Sequence, residues 1–492
     1  MHELAGHYQR MRRLYPQDRL LLLSDIDGTI IDTRYLILGT LQEFDRAHGT
    51  RFFQRLRIED IHWHENEIET MLEALAVPRE RREEIVAWYL EHRWSPEMVF
   101  HSHRPFRGVL DVIRWFQLQP NTYVGLVTGR PEKLRQETLQ SLNMLGEPYR
   151  VQFRDELLFM NPGDWEEVVP QVKVAGLRYF QEKGYRVFAY IDNEPPNLKA
   201  VAEADPKGEV LLLHAHTIFE AKRTRPPRRS VRGKKYELAE LIPGEFALPQ
   251  RVQLAWHGVN DEANLRQFLA SEIRWAEVDV RFDPTCQEVI LRHDSFAETP
   301  LSPDEEWLTL AEVLDKIKAY GRAIKLDIKA GGMLLDQVLA LVEEKGIEEK
   351  NLWFNGNIER LQERGFRRLA AAHPEAIIQC PIDFLVPLIL AVPETAHKTL
   401  EMLRGWGINR FSLSWQQSDL REIFNQMDRW GYDVNIYNAP NLESFLQAVL
   451  LLPRSVTADF NFPEWHYYGR GSGHEGRRYE YTMHEVREPP GE

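Results

Sequence analysis

Between residues 248 and 469, short apolar runs and helical patterns alternate eight times, and that rhythm leaves few folds open. The strand candidates are 252–256, 275–282, 323–328, 352–354, 376–379, 410–413, 433–436 and 456–458. Helical spacing of apolar residues fills the gaps, as in 262–270, 310–319 and 420–429. A strand that returns parallel to its predecessor needs a crossover, usually a helix. Eight such units close into a (β/α)8 barrel, here in about 220 residues against a usual ~250. A ninth run, 289–292, is expected to form a hairpin with the end of the second strand.

The N-terminal half alternates too, with strands expected at 20–24, 123–128, 186–191 and 209–213. Helices are expected from Asp32 onward and at 109–117, 132–142 and 171–183. This pattern predicts a mostly parallel, Rossmann-like α/β sheet with helices on both faces. A helical stretch at about 33–105 interrupts it directly after the first strand and reads as an inserted cap. At 492 residues the chain is too long for one ordinary core, which suits two domains. The expected division is a 1–17 extension, a first domain at 18–220, a linker at 221–247, a barrel at 248–469 and a tail at 470–492. The linker reading rests on AKRTRPPRRSVRGKK at 221–235, with eight Lys or Arg, two Pro and almost nothing apolar.

The formal charge of −14 argues against nucleic acid as a partner, because phosphate binding needs a basic face. Cys286 and Cys380 are the only cysteines, too few for a disulfide framework or a CxxC metal site. The first residues are charged and lack a secretory apolar core, and no run is long enough to span a bilayer. A cytoplasmic protein with no membrane span is the resulting expectation.

Two carboxylates, Asp25 and Asp27, follow the first apolar strand in SDIDGTIID, where Gly28 and Thr29 allow a sharp exit. Asp32 reads as a helix N-cap. His62, His64, His101 and His103 read as cap residues and not as one ligand set. The spaced pieces Asp25-Ile-Asp27-Gly-Thr, Leu126-Val-Thr128-Gly-Arg-Pro, Lys173 and Tyr-Ile-Asp192-Asn-Glu-Pro-Pro-Asn resemble the haloacid-dehalogenase-like (HAD) superfamily over about 18–220. The resemblance implies Asp25 as nucleophile, Asp27 as general acid and base, Thr128 as a phosphoryl contact and Lys173 as charge neutraliser. It also implies Mg2+ held by Asp25, Asp192 and the carbonyl of Asp27. Glu194 is left open between a supporting group and an ordinary loop residue.

On the barrel, polar residues collect where strands end: His257, Asn260, Glu277, Asp279, His293, Asp294, Asp327, Lys329, Asn355, Ser414, Tyr437 and Asn461 among them. Active sites of such barrels lie on that face. Glu277 and Asp279, two apart on a strand, point the same way. With Asp327 they offer three hard oxygen ligands, which suits Mg2+ or Ca2+. The pieces His257-Gly-Val-Asn260, Ala-Glu277-Val-Asp279-Val, Leu-Arg-His293-Asp294, Leu-Asp327-Ile-Lys329, Ser414-Trp415 and Asn461-Phe-Pro463 resemble glycerophosphodiester phosphodiesterase (GDPD)-like barrels. The sphingomyelinase-D/phospholipase-D-like and menorin-like branches are the most similar. The resemblance implies His257 and His293 as an acid/base pair and Lys329 as a phosphate contact. HGVND stands where the family's HRG segment is usual, and the PENT segment is missing.

The combined expectation is a two-domain phosphoesterase: a Mg2+-dependent monoester hydrolase joined to a metal-dependent phosphodiester-cleaving barrel. Its substrate would be a small phosphorylated molecule, with a phosphodiester or a lipid headgroup as candidates for the barrel. Two alternatives stay open: a non-catalytic binding barrel, and a nucleotide or polynucleotide-end phosphatase.

Overall fold

The structure is a computed structural model that describes all residues except 164–167, 217–223, 245–246, 286, 303–304 and 460–492. It divides into two compact units, Met1–Ile242 and Pro243–Glu492.

The first unit is built on one parallel sheet of six strands: β1 (Arg19–Ser24), β2 (Thr122–Pro131), β3 (Leu158–Asn161), β4 (Tyr185–Asp192), β5 (Leu211–Ala215) and β6 (Val231–Gly233). Their spatial order is β3-β2-β1-β4-β5-β6. Strand β1 is central, and its run of four leucines is buried on both faces, which explains why it lacks alternation. The strand order reverses between β2, β1 and β4, so their carboxyl ends open one crevice, the place where such sheets bind ligands. Helices Thr33–His48, Ile68–Ala74, Arg79–His92 and Pro96–Ser102 lie between β1 and β2. They close a hydrophobic core of their own around Phe44, Phe53, Met71, Ile85 and Tyr89. Asp32 caps the first of these helices, accepting from Arg34 N at 3.1 Å.

One expectation needs correction here, and one stretch takes a definite form. The 1–17 extension is a helix, His2–Leu14, that buries Leu4, Ala5, Tyr8 and Met11. The stripe at positions 4, 8 and 11 was visible among the charges, since it recurs at helical spacing. The stretch read as an exposed basic linker, where it is described, belongs to the sheet unit. Val231–Gly233 pairs with β5 as the sixth strand, Leu238, Leu241 and Ile242 are buried, and the Tyr236 hydroxyl donates to Thr29 O at 2.8 Å. Composition misled because the basic side chains point outward from a backbone that is paired.

The second unit is a closed parallel barrel of β7 (Gln253–Trp256), β8 (Trp275–Phe282), β10 (Ala323–Ile328), β11 (Leu352–Asn355), β12 (Ile377–Pro381), β13 (Arg410–Ser414), β14 (Val434–Ala439) and β15 (Ser455–Ala458). A pairing of β10 with β8 closes the ring. The short β9 (Val289–Leu291) runs antiparallel to the end of β8, the expected hairpin. Helices Glu262–Ala270, Leu310–Ala319 and Leu420–Arg429 fall where periodicity places them. The α/β class with a Rossmann-like sheet and a (β/α)8 barrel is therefore observed. Among the described residues, no helix is long and apolar enough to cross a membrane.

Candidate active sites

In the sheet unit, Asp25 follows β1 and Asp192 ends β4; Asp25 N donates to Ile191 O at 2.9 Å, which places the carboxylates side by side. Lys173, inside helix Val169–Glu182, reaches between them. Its ammonium bonds Asp25 Oδ1, donates to Val127 O at 2.6 Å and lies 3.4 Å from Asp192 Oδ2. Asp192 also accepts from Glu194 N at 2.8 Å and from Asn197 Nδ2 at 3.1 Å. Thr128 is buried on β2, and its hydroxyl oxygen accepts from Arg130 N at 3.2 Å.

Asp27 is held by a residue to which the sequence reading gave no role. Arg130 grips it with Nε to Oδ2 at 2.8 Å and Nη2 to Oδ1 at 2.6 Å. The guanidinium also contacts Thr138 at 3.2 Å and His103 Nε2 at 3.2 Å, and its Cζ lies 4.8 Å from the centre of the Trp94 ring. Thr128 and Arg130 stand two apart on β2, but that spacing does not say where the guanidinium turns. Gly28 makes the turn in the left-handed region (φ 76°), and a side chain there would collide with Asn193. Asn193, oriented with its amide nitrogen toward the acids, donates to Asp27 O at 3.1 Å and Asp25 Oδ2 at 3.3 Å.

The four cap-region histidines separate. His103 is buried against Arg130 and Ser141 Oγ (2.8 Å), and His64 lies 3.1 Å from Glu194 Oε1 and 3.4 Å from Glu65 Oε2. His101 bonds Glu97 O, and His62 packs near Trp63. Glu194 thus meets the cap through His64.

Charge is crowded in this crevice. Burial raises the Asp25 carboxyl well above the ordinary range, Lys173 offsets part of that, and Asp192 and Asp27 add repulsion. Burial likewise raises Asp192 against the pull of Lys173. Burial alone would lower Lys173, but Asp25 and Asp192 outweigh it and hold the ammonium. For Asp27, the effect of burial is overcome by Arg130, and the carboxyl is lowered. The oxygens of Asp25, Asp192 and the Asp27 carbonyl are a donor set that fits Mg2+.

In the barrel, Glu277, Asp279 and Asp327 each offer an oxygen within 4.8 Å of the others. The pairing explains this, since Asp327 on β10 stands opposite Asp279 on β8. Lys329 bridges Asp279 Oδ1 at 2.6 Å and Asp327 Oδ2. Asn260 locks Asp279 twice, Nδ2 donating to Oδ2 at 2.6 Å and Oδ1 accepting from Asp279 N at 2.8 Å. Asn355 donates to Asp327 Oδ1 at 2.7 Å. Gly258, in the left-handed region (φ 69°), turns its N–H onto Glu277 Oε2 at 2.8 Å. Burial raises Glu277, whereas for Asp279 burial is outweighed by Lys329 and the carboxyl is lowered. Three oxygens from adjacent strands fit a hard divalent cation such as Mg2+ or Ca2+.

The two histidines lie in different surroundings. His257 bonds Asp459 through Nδ1 and sets Nε2 3.7 Å from Glu277 Oε2. Burial opposes its charge, but Glu277 and Asp459 raise its pKa to about 10. The side chain of His293 is 55% exposed, and its Nδ1 lies 2.7 Å from Asp294 Oδ1. Ser414 and Tyr437 converge instead on Asp383, which accepts from Ser414 N at 3.2 Å and the Tyr437 hydroxyl at 2.6 Å. Asp383 and Asp459 were not foreseen. Asn461 and the 470–492 tail lie outside the described residues, as does Cys286.

No protein-family model matches the chain, and no curated protein matches it. Solved structures do. An Oleispira antarctica phosphodiesterase in complex with sn-glycerol-3-phosphate is 18% identical over 44% of this chain and 95% of its own, with a TM-score of 0.34. A HAD-superfamily hydrolase from Geobacter sulfurreducens is 13% identical over 42% of this chain and 92% of its own, with a TM-score of 0.28. CbbY from Rhodobacter sphaeroides, in complex with phosphate, is 15% identical over 44% of this chain and 93% of its own, with a TM-score of 0.27.

Proposed function

We propose that the chain is a two-site phosphoesterase: a phosphomonoester hydrolase in the sheet unit and a phosphodiester-cleaving barrel. The observation that carries the first assignment is the meeting of Asp25, Asp192 and Lys173 at the carboxyl ends of two neighbouring strands. In the first half-reaction a carboxylate oxygen of Asp25 bonds phosphorus, and the ester oxygen departs with a proton from Asp27. In the second, water gives its proton to Asp27 as its oxygen bonds phosphorus, and the aspartyl–phosphate bond breaks. Lys173 and Thr128 balance charge on the transferred oxygens. The Arg130 ion pair favours the carboxylate form of Asp27, and so its role as base in the second half. A divalent cation, when bound at Asp25, the Asp27 carbonyl and Asp192, would draw charge from the phosphoryl oxygens.

For the barrel, the Glu277–Asp279–Asp327 cluster with His257 beside it supports binding of a phosphodiester and proton transfer at imidazole. His293 would serve as the second proton-transfer group and Lys329 as a phosphate contact. A crossed experiment tests both assignments. Hydrolysis of p-nitrophenyl phosphate and bis(p-nitrophenyl) phosphate is measured with Mg2+, Mn2+ and Ca2+ in wild type, Asp25→Asn and Glu277→Gln. Asp25→Asn should lose about 10^4-fold or more in monoester turnover and nothing in diester turnover. Glu277→Gln should lose diester turnover by about 10^2-fold or more and keep the monoesterase. A wild type without diesterase under all three ions would leave the barrel as a binding module; parallel losses in both variants would sink the two-site reading.

A further inference from the structure

His257 follows β7, and Asp459 follows β15. These strands are neighbours, with Ala458 opposite Trp256, and His257 N donates to Ala458 O at 3.2 Å. The next pair of side chains along the register therefore meets, although the two residues are 202 apart in sequence. The Asp459 carboxylate is buried and takes the Nδ1 side of the imidazole. The opposite nitrogen, Nε2, is the one beside Glu277.

We propose that Asp459 is a positioning residue for proton transfer in the barrel: it holds His257 through an Nδ1–H bond in the ring orientation that presents Nε2 to a phosphodiester at Glu277, Asp279 and Asp327. The proposal rests on the phosphodiester reading of this cluster. A carboxylate on the far side of an imidazole sets both tautomer and orientation, and it stabilises the ring when Nε2 carries a proton. It serves proton transfer in either direction. His293 has a different arrangement, since its partner Asp294 is the next residue and is itself 47% exposed. A contact between exposed chain neighbours imposes far less on ring orientation than a buried carboxylate from another strand.

The test uses the full chain with Mg2+. In Asp459→Asn, kcat on bis(p-nitrophenyl) phosphate should fall by about 10^2- to 10^4-fold, with KM changed less than about threefold and the melting temperature held. Asp459→Glu should recover part of kcat. Monoester turnover at Asp25 should not change, an internal control. A second measurement needs no variant: in 15N-histidine-labelled wild type, His257 should show a protonated, hydrogen-bonded Nδ1. An Asp459→Asn protein with wild-type diesterase kcat overturns the positioning role and leaves the phosphodiester reading standing. A wild type lacking diesterase removes that reading, and the 15N spectrum then judges the pair alone; an unprotonated Nδ1 overturns it in either case.

Discussion

Both units set carboxylates around a lysine, but they recruit it differently. In the sheet unit Lys173 comes from a helix 148 positions beyond Asp25 and is 1% exposed. In the barrel Lys329 stands two positions after Asp327 on the same strand, and Asp327 remains 18% exposed. The lysine of the sheet site is thus brought in from a distant helix, whereas that of the barrel site stands on the same strand as one of its acids. A cation removed from Lys173 leaves Asp192, which is fully buried, without its partner charge; one removed from Lys329 leaves Asp327 with part of its carboxylate in reach of solvent.

The largest expected effect follows from that contrast. Lys173→Met should lower monoester kcat by about 10^3-fold and destabilise the sheet unit by about 3–5 kcal/mol, the usual result of breaking a buried pair. Lys329→Met should cost the barrel less in denaturant unfolding, since Asp327 keeps partial access to solvent, and equal losses would erase the distinction between the two lysines. Next in size is Arg130→Lys, which keeps the charge but gives up the two-pronged grip on Asp27. Turnover should fall about 10- to 100-fold with KM little changed; an unchanged kcat would mean that Asp27 needs no orienting partner.

The smallest effect concerns pH. His103 is buried against Arg130, and burial first, then the guanidinium, lowers its pKa to about 3. The unfolded chain takes up this proton near pH 6.5 and the folded one does not, so the contribution is complete above about pH 6.5 and declines as pH falls toward 3. Calorimetry of wild type and His103→Gln across that window should show a shallower decline in the variant. Parallel curves would place the acid sensitivity elsewhere.

Much of this was legible in the chain itself. The barrel strands fall within three residues of their expected limits, because each is a short apolar run bounded by helical periodicity. Glu277 and Asp279 share a face by strand alternation alone. What stayed hidden came from pairings distant in sequence. Asp459 meets His257 only because the last strand of the barrel lies beside the first. Arg130 lay in plain sight after Thr128, but nothing local says that its guanidinium turns toward Asp27. The sixth strand of the sheet hid behind a composition that reads as solvent-facing, since three backbone-paired residues leave almost no apolar trace.

That sixth strand bears on where the polypeptide can be cut. The Tyr236 hydroxyl braces the carbonyl of Thr29, four residues from the proposed nucleophile, and Leu238, Leu241 and Ile242 are buried. A fragment ending at residue 220, the boundary that composition suggests, would bare the edge of β5 and strip that brace from the turn after β1. Anyone isolating the sheet unit should keep the polypeptide through Ile242, where the first compact unit ends.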